Sequence, residues 1–250
     1  MDTTVVLAEH GPVATVTLNN PGKLNALSAT TFGQLRKIVD AIATRDDIKC
    51  VVLTGAGRSF CAGHSLDAIA DGTDEAEARY YEAETIDALE ALPMPTVAAI
   101  RGHCLTGGLE LALGCDLLIA AQDASLGDTH GQWGLVPVWG MSVRLPERVG
   151  HARARELSFT SRRISGVEAA AIGLVNKAVP ADELDGAVAA LTDEIVANSS
   201  GSNRIAKRLY AQSMVLERTQ ALAKERDLEF GLPADSADRL SQSRVTKAQP

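Results

Sequence analysis

Short apolar runs alternate with helical patterns through the first half of the chain. Residues 13–18 alternate in a strand-like way, and the apolar runs at 50–55, 96–100 and 117–121 predict buried strands. Residues 29–45 carry apolar side chains at helical spacing behind Ser28, a favourable N-cap, and the acidic segment 71–92 also predicts a helix. Buried strands that alternate with helices predict an α/β fold with largely parallel strand pairing.

The pattern changes from about Gly150 onward, where helical periodicity dominates and strand signals nearly vanish. Successive amphipathic segments extend to about residue 230, and the final ten residues are polar. This half of the chain predicts a helical C-terminal subdomain, of the kind that often forms an oligomer surface or a lid.

Composition narrows the class of protein. The chain has 250 residues, 46% of them hydrophobic, which suits one large domain or a main domain with a small appendage. A formal net charge of −8, without a basic stripe, argues against nucleic-acid binding. Neither a signal peptide nor an apolar run long enough for a membrane helix is evident, so we expect a cytoplasmic protein. The four cysteines lie in apolar segments without paired spacing, which predicts buried reduced thiols.

Several common motifs are incomplete. Residues 55–60 (GAGRSF) begin like a dinucleotide-binding fingerprint, but Phe60 stands where the third glycine belongs. No P-loop and no G-x-S-x-G elbow occurs. Cys61 and His64 have C-x-x-H spacing without the second pair that a zinc site needs, so no metal is expected.

Two glycine-containing loops share one design. Ala62-Gly63-His64 and Thr106-Gly107-Gly108 each follow a predicted strand and each open into an apolar helical segment. Amides at such a position lack helical partners, and glycine lets a ligand approach the backbone closely. If the loops converge, they predict an oxyanion hole with two N–H donors. The alternative is that these glycines serve packing alone.

Glu110 follows the second loop and is the lone carboxylate in an otherwise apolar helix. Burial of a carboxylate costs solvation free energy, so the side chain needs a partner, a proton or a catalytic role.

Four segments in this order resemble the crotonase superfamily, the enoyl-CoA hydratase/isomerase family. They are NNPGKLNAL (19–27), VVLTGAGRSFCAGHSL (51–66), the run from Pro95 to Asp116 with its G-G-x-E, and ISGVEAAAIGLVNKAV (164–179). The resemblance implies an α/β crotonase-like spiral of ββα units over residues 1–195 and a C-terminal helical trimerisation region over 196–250. It also implies an acyl-CoA thioester substrate, with coenzyme A as part of the substrate and no separate cofactor, and a homotrimer or hexamer.

The resemblance also assigns residues. The oxyanion-hole amides would belong to His64 and Gly107, and Glu110 matches the first of two catalytic glutamates that hold and activate water. General acid–base catalysis by such a carboxylate contributes typically 10²–10⁴-fold. The alternative for Glu110 is a hydrogen-bonding role that holds the turn. Contacts to the coenzyme A adenine would fall on the backbone around three residues, with Leu66 flanking the pocket: Lys23, Leu24 and Ala62.

The chain departs from the family pattern where the second glutamate is expected. That position is His130, which can still accept or donate a proton near neutral pH. Asp128 could orient the imidazole, supply the missing carboxylate, or simply form the turn. Trp133, Trp139 and Met141 would reshape the acyl pocket or serve as core packing.

The C-terminus departs as well. The family's basic C-terminal segment near the coenzyme A phosphates is replaced, and three residues are candidates to substitute for it: Arg239, Arg244 and Lys247.

The sequence therefore predicts an enoyl-CoA hydratase-like lyase, which adds water to a 2-enoyl-CoA, or removes it from a 3-hydroxyacyl-CoA, through an oxyanion-stabilised enolate. Double-bond isomerisation is disfavoured because the second glutamate is missing. Thioester hydrolysis, decarboxylation or C–C cleavage using His130 stay open as alternatives. So does a noncatalytic acyl-CoA binder or an oligomeric scaffold.

Overall fold

The computed structural model describes residues 3–65 and 76–247 and contains two sheets. The larger sheet has strand order β1-β2-β3-β4-β6-β9. Its first two strands are antiparallel and the others pair in parallel, as the sequence predicts. The strands are β1 (Val5–His10), β2 (Val13–Leu18), β3 (Cys50–Gly55), β4 (Thr96–Ile100), β6 (Leu117–Ala121) and β9 (Lys177–Val179).

The smaller sheet lies beside the loops that form the site. It has strand order β5-β7-β8, with β5 (His103–Leu105) parallel to β7 (Ser125–Gly127) and β7 antiparallel to β8 (Ile164–Ser165). An isolated bridge between Cys61 and Cys104 joins the loop after β3 to β5. This bridge brings the ends of two distant strands together.

Helices connect and cover the sheets. α1 begins behind Ser28, whose side chain accepts a hydrogen bond from Thr31 N, which confirms the predicted N-cap. The helices are α1 (Ala29–Ala43), α2 (Ala76–Glu90), α3 (Gly107–Leu113), α4 (Met141–Thr160), α5 (Gly166–Ala171), α6 (Leu184–Ala197), α7 (Ser200–Val215), α8 (Arg218–Arg226) and α9 (Ser236–Lys247), with 3-10 helices at Pro21–Lys23, His130–Trp133 and Ala181–Glu183. No helix within the described ranges is long and apolar enough to cross a membrane.

The structure contains three edge strands that the sequence does not predict: β1 and β9 in the larger sheet and β8 in the smaller one. β1 was not predicted, because Val5 is its only buried residue and an apolar pattern is weak. β8 and β9 follow Gly150, where strand signals nearly vanish, and each has three residues or fewer. Such short edge strands are held by backbone pairing to a neighbour, which leaves little hydrophobic pattern in the sequence.

The two faces of the main sheet bury different sets of side chains. Successive residues of a strand point to opposite faces, so Val51 and Leu53 join the large core while Cys50 and Val52 join a smaller one under α6. All seven residues of α3 are buried in the large core. The helix that carries Glu110 is therefore packed on all sides.

All four cysteines are buried free thiols, as predicted, and burial raises the pKa of Cys61 to about 12.

The C-terminal helices are built differently from this core. α7 and α8 contain no buried residue, and several large apolar side chains there and in α9 are exposed: Tyr210, Met214, Val215 and Leu240. The predicted boundary at residue 195 falls within the last turn of α6. The assignment of 196–250 to trimer contacts stays a prediction.

Candidate active site

The two glycine loops meet in the folded chain. Cys61 N donates to His103 O over 2.8 Å, and Leu105 N donates back to Cys61 O over 3.1 Å. A Cβ built on Gly63, where φ is +110°, would lie 3.1 Å from Leu105 O and 3.7 Å from Gly107 N. The loops are thus in contact beside the positions that carry the two candidate amides, and Gly63 permits both the backbone conformation and the close approach.

Both candidate amides lack a hydrogen-bond acceptor within the described part of the chain. Leu27 N donates to Gly63 O and Ser65 N donates to Leu27 O, which is the parallel pattern that turns the N–H of His64 away from Leu27. Gly107 follows Thr106, whose φ of 52° and ψ of −118° are rare for a residue with a side chain. Among the described residues, neither His64 N nor Gly107 N donates a hydrogen bond to another protein group. Such strained backbone is typical of functional sites.

Residues of both loops line one cavity of about 360 Å³. Its volume falls in the range of about 300–1,000 Å³ that is typical of small-molecule sites. Its wall combines apolar side chains with several ionisable ones. The lining residues are His64, Arg79, Glu82, Thr106, Gly107, Glu110, His130, Leu135, Val136, Val138 and Trp139.

The two carboxylate oxygens of Glu110 differ in their hydrogen bonds. The residue is 1% exposed, and its Oε1 accepts hydrogen bonds from Trp139 N over 3.0 Å and Met141 N over 3.1 Å. Its Oε2 is buried without a hydrogen-bond partner among the described residues. Burial raises the pKa of the Glu110 carboxyl, and the nearby His130 and the two backbone N–H groups only partly oppose that rise. Oε1 thus holds the turn, while Oε2 is available to bond another group.

His130 lies next to that oxygen. Its Nε2 is 3.6 Å from Glu110 Oε2, and its Nδ1 is 2.6 Å from Asp128 Oδ1. Burial raises the pKa of Asp128, but hydrogen bonds from His130 and Ser158 outweigh it, so the net pKa is below the usual value. An ionised carboxylate only accepts hydrogen bonds, so in a neutral imidazole the 2.6 Å contact places the proton on Nδ1 and leaves the lone pair on Nε2. Asp128 therefore fixes the tautomer and orientation of the imidazole.

Trp139 packs between these groups. The side chain is 5% exposed, with its ring edge-on to Phe32 and to His64 at centroid distances of 4.9 and 5.3 Å. A Cβ on Gly107 would overlap the indole ring. The ring of Trp139 therefore packs directly against Gly107, which carries one candidate amide. The backbone N–H of Trp139 donates to Glu110.

Comparison with known proteins decides the family. A family model described as enoyl-CoA hydratase/isomerase matches residues 8–243. The chain belongs to the enoyl-CoA hydratase/isomerase family. A curated relative, the short-chain-enoyl-CoA hydratase of Clostridium acetobutylicum, is 34% identical over 88% of this chain and 86% of its own length.

Solved structures agree with this family assignment. The crystal structure of an enoyl-CoA hydratase from Bacillus anthracis matches with a TM-score of 0.91 and 34% identity, over 98% of this chain and 96% of that chain. A putative enoyl-CoA hydratase from Thermobifida fusca, solved with acetoacetyl-CoA, matches at 0.83 and 29% identity over 96% and 95% of the two chains. The α/β crotonase fold predicted from the sequence is thus confirmed.

The three residues that are expected near the adenine of coenzyme A, Lys23, Leu24 and Ala62, lie next to one another on two adjacent backbone segments. Leu24 has a left-handed φ of 51° and accepts a hydrogen bond from Ala62 N over 3.0 Å, and Lys23 precedes it on the surface. None of the three lines the cavity itself. This position is beside the loop that ends in His64, and adenine binding there stays a prediction. Leu66 lies outside the described residues.

Two other expectations turn out differently. Trp133 is 55% exposed and absent from the cavity lining, so this side chain does not shape the pocket, whereas Trp139 does. The 3-10 helix that begins at His130 rotates Trp133 outward. Met141 is buried in the core and reaches Glu110 through its backbone N–H alone.

The basic C-terminal candidates receive little support from the described side chains. Arg239 on α9 pairs with Asp235, the residue before that helix, over 2.6 Å and also donates to Ala197 O. The side chains of Arg244 and Lys247 lie outside the described set. Within the described ranges, no three His, Cys, Asp or Glu residues lie close enough together to hold a metal ion.

Sequence reasoning missed one buried ionisable residue of the cavity. Glu82 is 4% exposed, and its Oε1 is 3.7 Å from His64 Nε2. A signal was present, since Glu82 precedes the buried Ile86 and Leu89 by four and seven residues, which puts it on the apolar face of α2. The many other acidic residues of this helix concealed it.

Arg144 was missed as well. It donates to Trp139 O over 2.8 Å and to Glu90 and Asp87 of α2. Through Trp139, this arginine supports the turn that holds Glu110.

Proposed function

We propose that this protein hydrates a 2-enoyl-CoA to a 3-hydroxyacyl-CoA and catalyses the reverse dehydration. One observation carries the proposal: a single cavity joins two amides that donate to no other described residue with a buried Glu110–His130–Asp128 cluster. The 34% identical Clostridium relative named a short-chain-enoyl-CoA hydratase supports this reaction, and the acetoacetyl-CoA complex of the Thermobifida protein supports an acyl-CoA ligand.

The two amides stabilise the negative charge in the proposed reaction. The thioester oxygen accepts hydrogen bonds from the N–H groups of His64 and Gly107. As the oxygen of water bonds to C3, the C2=C3 electron pair moves toward the carbonyl and forms an enolate at that oxygen. Loss of one such donor costs on the order of 10²–10³ in rate.

His130 and Glu110 divide the proton transfers. The Nε2 lone pair of His130 takes a proton from the attacking water, and the ionised Asp128 stabilises the resulting imidazolium. Glu110, whose burial favours the protonated carboxyl, gives its proton to C2 as the enolate collapses. A proton then passes from Nε2 to Oε2, 3.6 Å away, and restores both groups.

The test is Glu110→Gln, which retains the carbonyl acceptor for Trp139 N and Met141 N but has no proton to give. With crotonyl-CoA as substrate, loss of the enoyl-thioester absorbance should slow by about 10²–10⁴-fold. Calorimetry should show binding of a saturated acyl-CoA unchanged within about threefold, because Gln has nearly the same size. The matched control is Glu84→Gln, an exposed position on α2.

Wild-type rates in Glu110→Gln would contradict this assignment. Tight acyl-CoA binding without turnover across a panel of enoyl-CoA esters would identify a noncatalytic binder instead.

Thioester hydrolysis is the second candidate function, and the Asp128–His130 contact favours it. An imidazole held at 2.6 Å by a carboxylate is the arrangement that activates water as a general base. In hydrolysis the same water would attack the thioester carbonyl carbon and release a free thiol. A thiol reagent therefore distinguishes hydrolysis from hydration, which leaves the thioester intact.

A further inference from the structure

The cavity contains a second pair of ionisable side chains that the proposed chemistry does not use. His64 contributes only its backbone N–H to the oxyanion hole, yet its imidazole also lines the cavity beside Glu82 of α2. Glu82 is nearly as buried as Glu110. A carboxylate in such a place costs solvation free energy unless another group compensates for it.

The contact between the two side chains is too long to satisfy them. His64 Nε2 and Glu82 Oε1 are 3.7 Å apart, beyond the range of a hydrogen bond, and His64 Nδ1 has no hydrogen-bond partner among the described residues. A pair that served only to brace α2 against the loop would gain most from direct contact. Both side chains instead line the cavity, so a third polar group can lie beside them.

One oxygen atom can bond both side chains. Two atoms 3.7 Å apart can both lie about 2.8 Å from a single oxygen placed to one side of the line between them. The Nε2–H of His64 would donate a hydrogen bond to that oxygen, and Glu82 would accept a hydrogen bond from it. A hydroxyl group both accepts and donates, whereas an ionised carboxylate has no proton with which to donate to Glu82.

The position of the pair indicates which part of the substrate carries the hydroxyl. If the thioester oxygen is bound by His64 N, the acyl chain must enter the cavity past the His64 side chain. The cavity is also lined by the apolar side chains of Leu135, Val136, Val138 and Trp139. Of its other polar residues, Glu110 and His130 are assigned to the proton transfers, Thr106 lies beside the candidate amide of Gly107, and Arg79 lies on α2. An acyl chain with one polar substituent matches this mixture of surfaces.

We propose that His64 and Glu82 form a subsite for a hydroxyl group carried by the acyl chain beyond C3, so that the preferred substrates are hydroxylated enoyl-CoA esters. This inference rests on the acyl-CoA function proposed above. Glu82 acts here on binding and specificity, and the proton transfers stay with Glu110 and His130.

The experiment compares 2-enoyl-CoA esters of one chain length that carry a hydroxyl at C4, C5 or C6, a terminal carboxylate, or no substituent. We expect wild type to prefer one hydroxylated isomer to the unsubstituted ester by at least about tenfold in kcat/KM, because a site built to bond a hydroxyl discriminates against its absence. Glu82→Gln should reduce that ratio at least about tenfold, mainly through KM. The control Glu84→Gln should preserve it.

Binding measurements separate this inference from the function on which it rests. Calorimetry with saturated hydroxyacyl-CoA and acyl-CoA esters needs no turnover. A hydroxyl preference in binding without hydration would overturn the hydratase proposal and retain the subsite. Hydration without any hydroxyl preference, or a preference that Glu82→Gln leaves intact, would overturn the subsite alone.

Two further outcomes are decisive. Preference for the carboxylate ester would also overturn the hydroxyl assignment, and failure to bind any acyl-CoA would overturn both proposals. If thermal unfolding shows that Glu82→Gln is not folded, Glu82→Asp and the wild-type substrate series provide the test.

Discussion

Two histidine–carboxylate pairs reach the cavity through His130 and His64, and the two are built differently. His130 Nδ1 is 2.6 Å from Asp128, and the backbone N–H of His130 donates to the same carboxylate oxygen. His64 Nε2 is 3.7 Å from Glu82 without a hydrogen bond. The first pair is preorganised around one tautomer, as proton transfer requires, and the second leaves space for a third group.

The difference originates in the connectivity of the chain. Asp128 and His130 lie two residues apart at the start of one 3-10 helix, so local backbone geometry sets their distance. His64 and Glu82 come from a loop and from α2, so their distance depends on how α2 packs. A local pair is hard to separate, whereas a tertiary pair can be spaced to suit a ligand.

Replacement of Asp128 by Asn should produce the largest effect, because it removes the charge from the His130–Asp128 pair. Without that charge the imidazolium loses its stabilisation, and the tautomer with Nδ1–H is no longer enforced. We expect kcat for crotonyl-CoA to fall by about 10²–10⁴-fold while the Kd of a saturated acyl-CoA changes little.

The matched control for Asp128→Asn is Asp123→Asn, on the exposed turn before β7. Steady-state assays with crotonyl-CoA measure kcat for both variants at equal enzyme concentration. If Asp128 only shaped the turn, Asp128→Asn would lower thermal stability and affinity together and leave kcat within about threefold of wild type.

Loss of Arg144 should disturb both His64 and Glu110, since Trp139 contacts His64 with its ring and Glu110 with its backbone N–H. Arg144 donates to Trp139 O, so Arg144→Ala should let this turn shift. We expect kcat to fall by roughly ten- to a hundredfold, because a misplacement of about 1 Å can cost up to about 10²-fold.

A conservative variant distinguishes positioning by Arg144 from a general loss of stability. Arg144→Lys should recover part of kcat, since one N–H can still reach Trp139 O. Arg153→Ala, at an exposed position of α4, should match wild type. Equal rates in Arg144→Ala and wild type would show that Trp139 needs no such support.

The candidate acid–base residues Glu110 and His130 were more predictable from sequence than the His64–Glu82 pair. Glu110 is the lone carboxylate in an apolar helix, and His130 occupies the position of an expected glutamate, so both were predicted to act together. The central strands β3, β4 and β6 were equally clear, because strands buried on both faces leave uninterrupted apolar runs.

Features that depend on packing were not predictable in the same way. Trp133 and Trp139 looked alike in sequence, and only the turn of the 3-10 helix exposes the first while the second is buried. Glu82 meets His64 only after α2 packs over the loop that follows β3. A hydrophobic pattern reports which face of a helix is buried but not which side chain of another segment it meets.

The smallest expected effect concerns stability, and it measures the burial of Glu110 rather than its chemistry. Burial raises the pKa of this carboxyl above its value in the unfolded chain, so the folded state binds the proton more tightly. That contribution to stability is complete below the unfolded pKa and is lost as pH rises through the folded pKa. Gln carries no charge at any pH and does not suffer this loss.

Glu110→Gln should therefore unfold at a higher temperature than wild type at pH 8, by roughly 2–4 °C, the shift that about 1 kcal/mol produces in a domain of this size. The difference should close as pH falls toward 5, and differential scanning calorimetry across this range measures it. Glu84→Gln should follow wild type at every pH, because this position is exposed. If wild type were instead the more stable protein at pH 8, the ionised carboxylate would be stabilised by its surroundings, and the role of Glu110 as the proton donor to C2 would have to pass to His130.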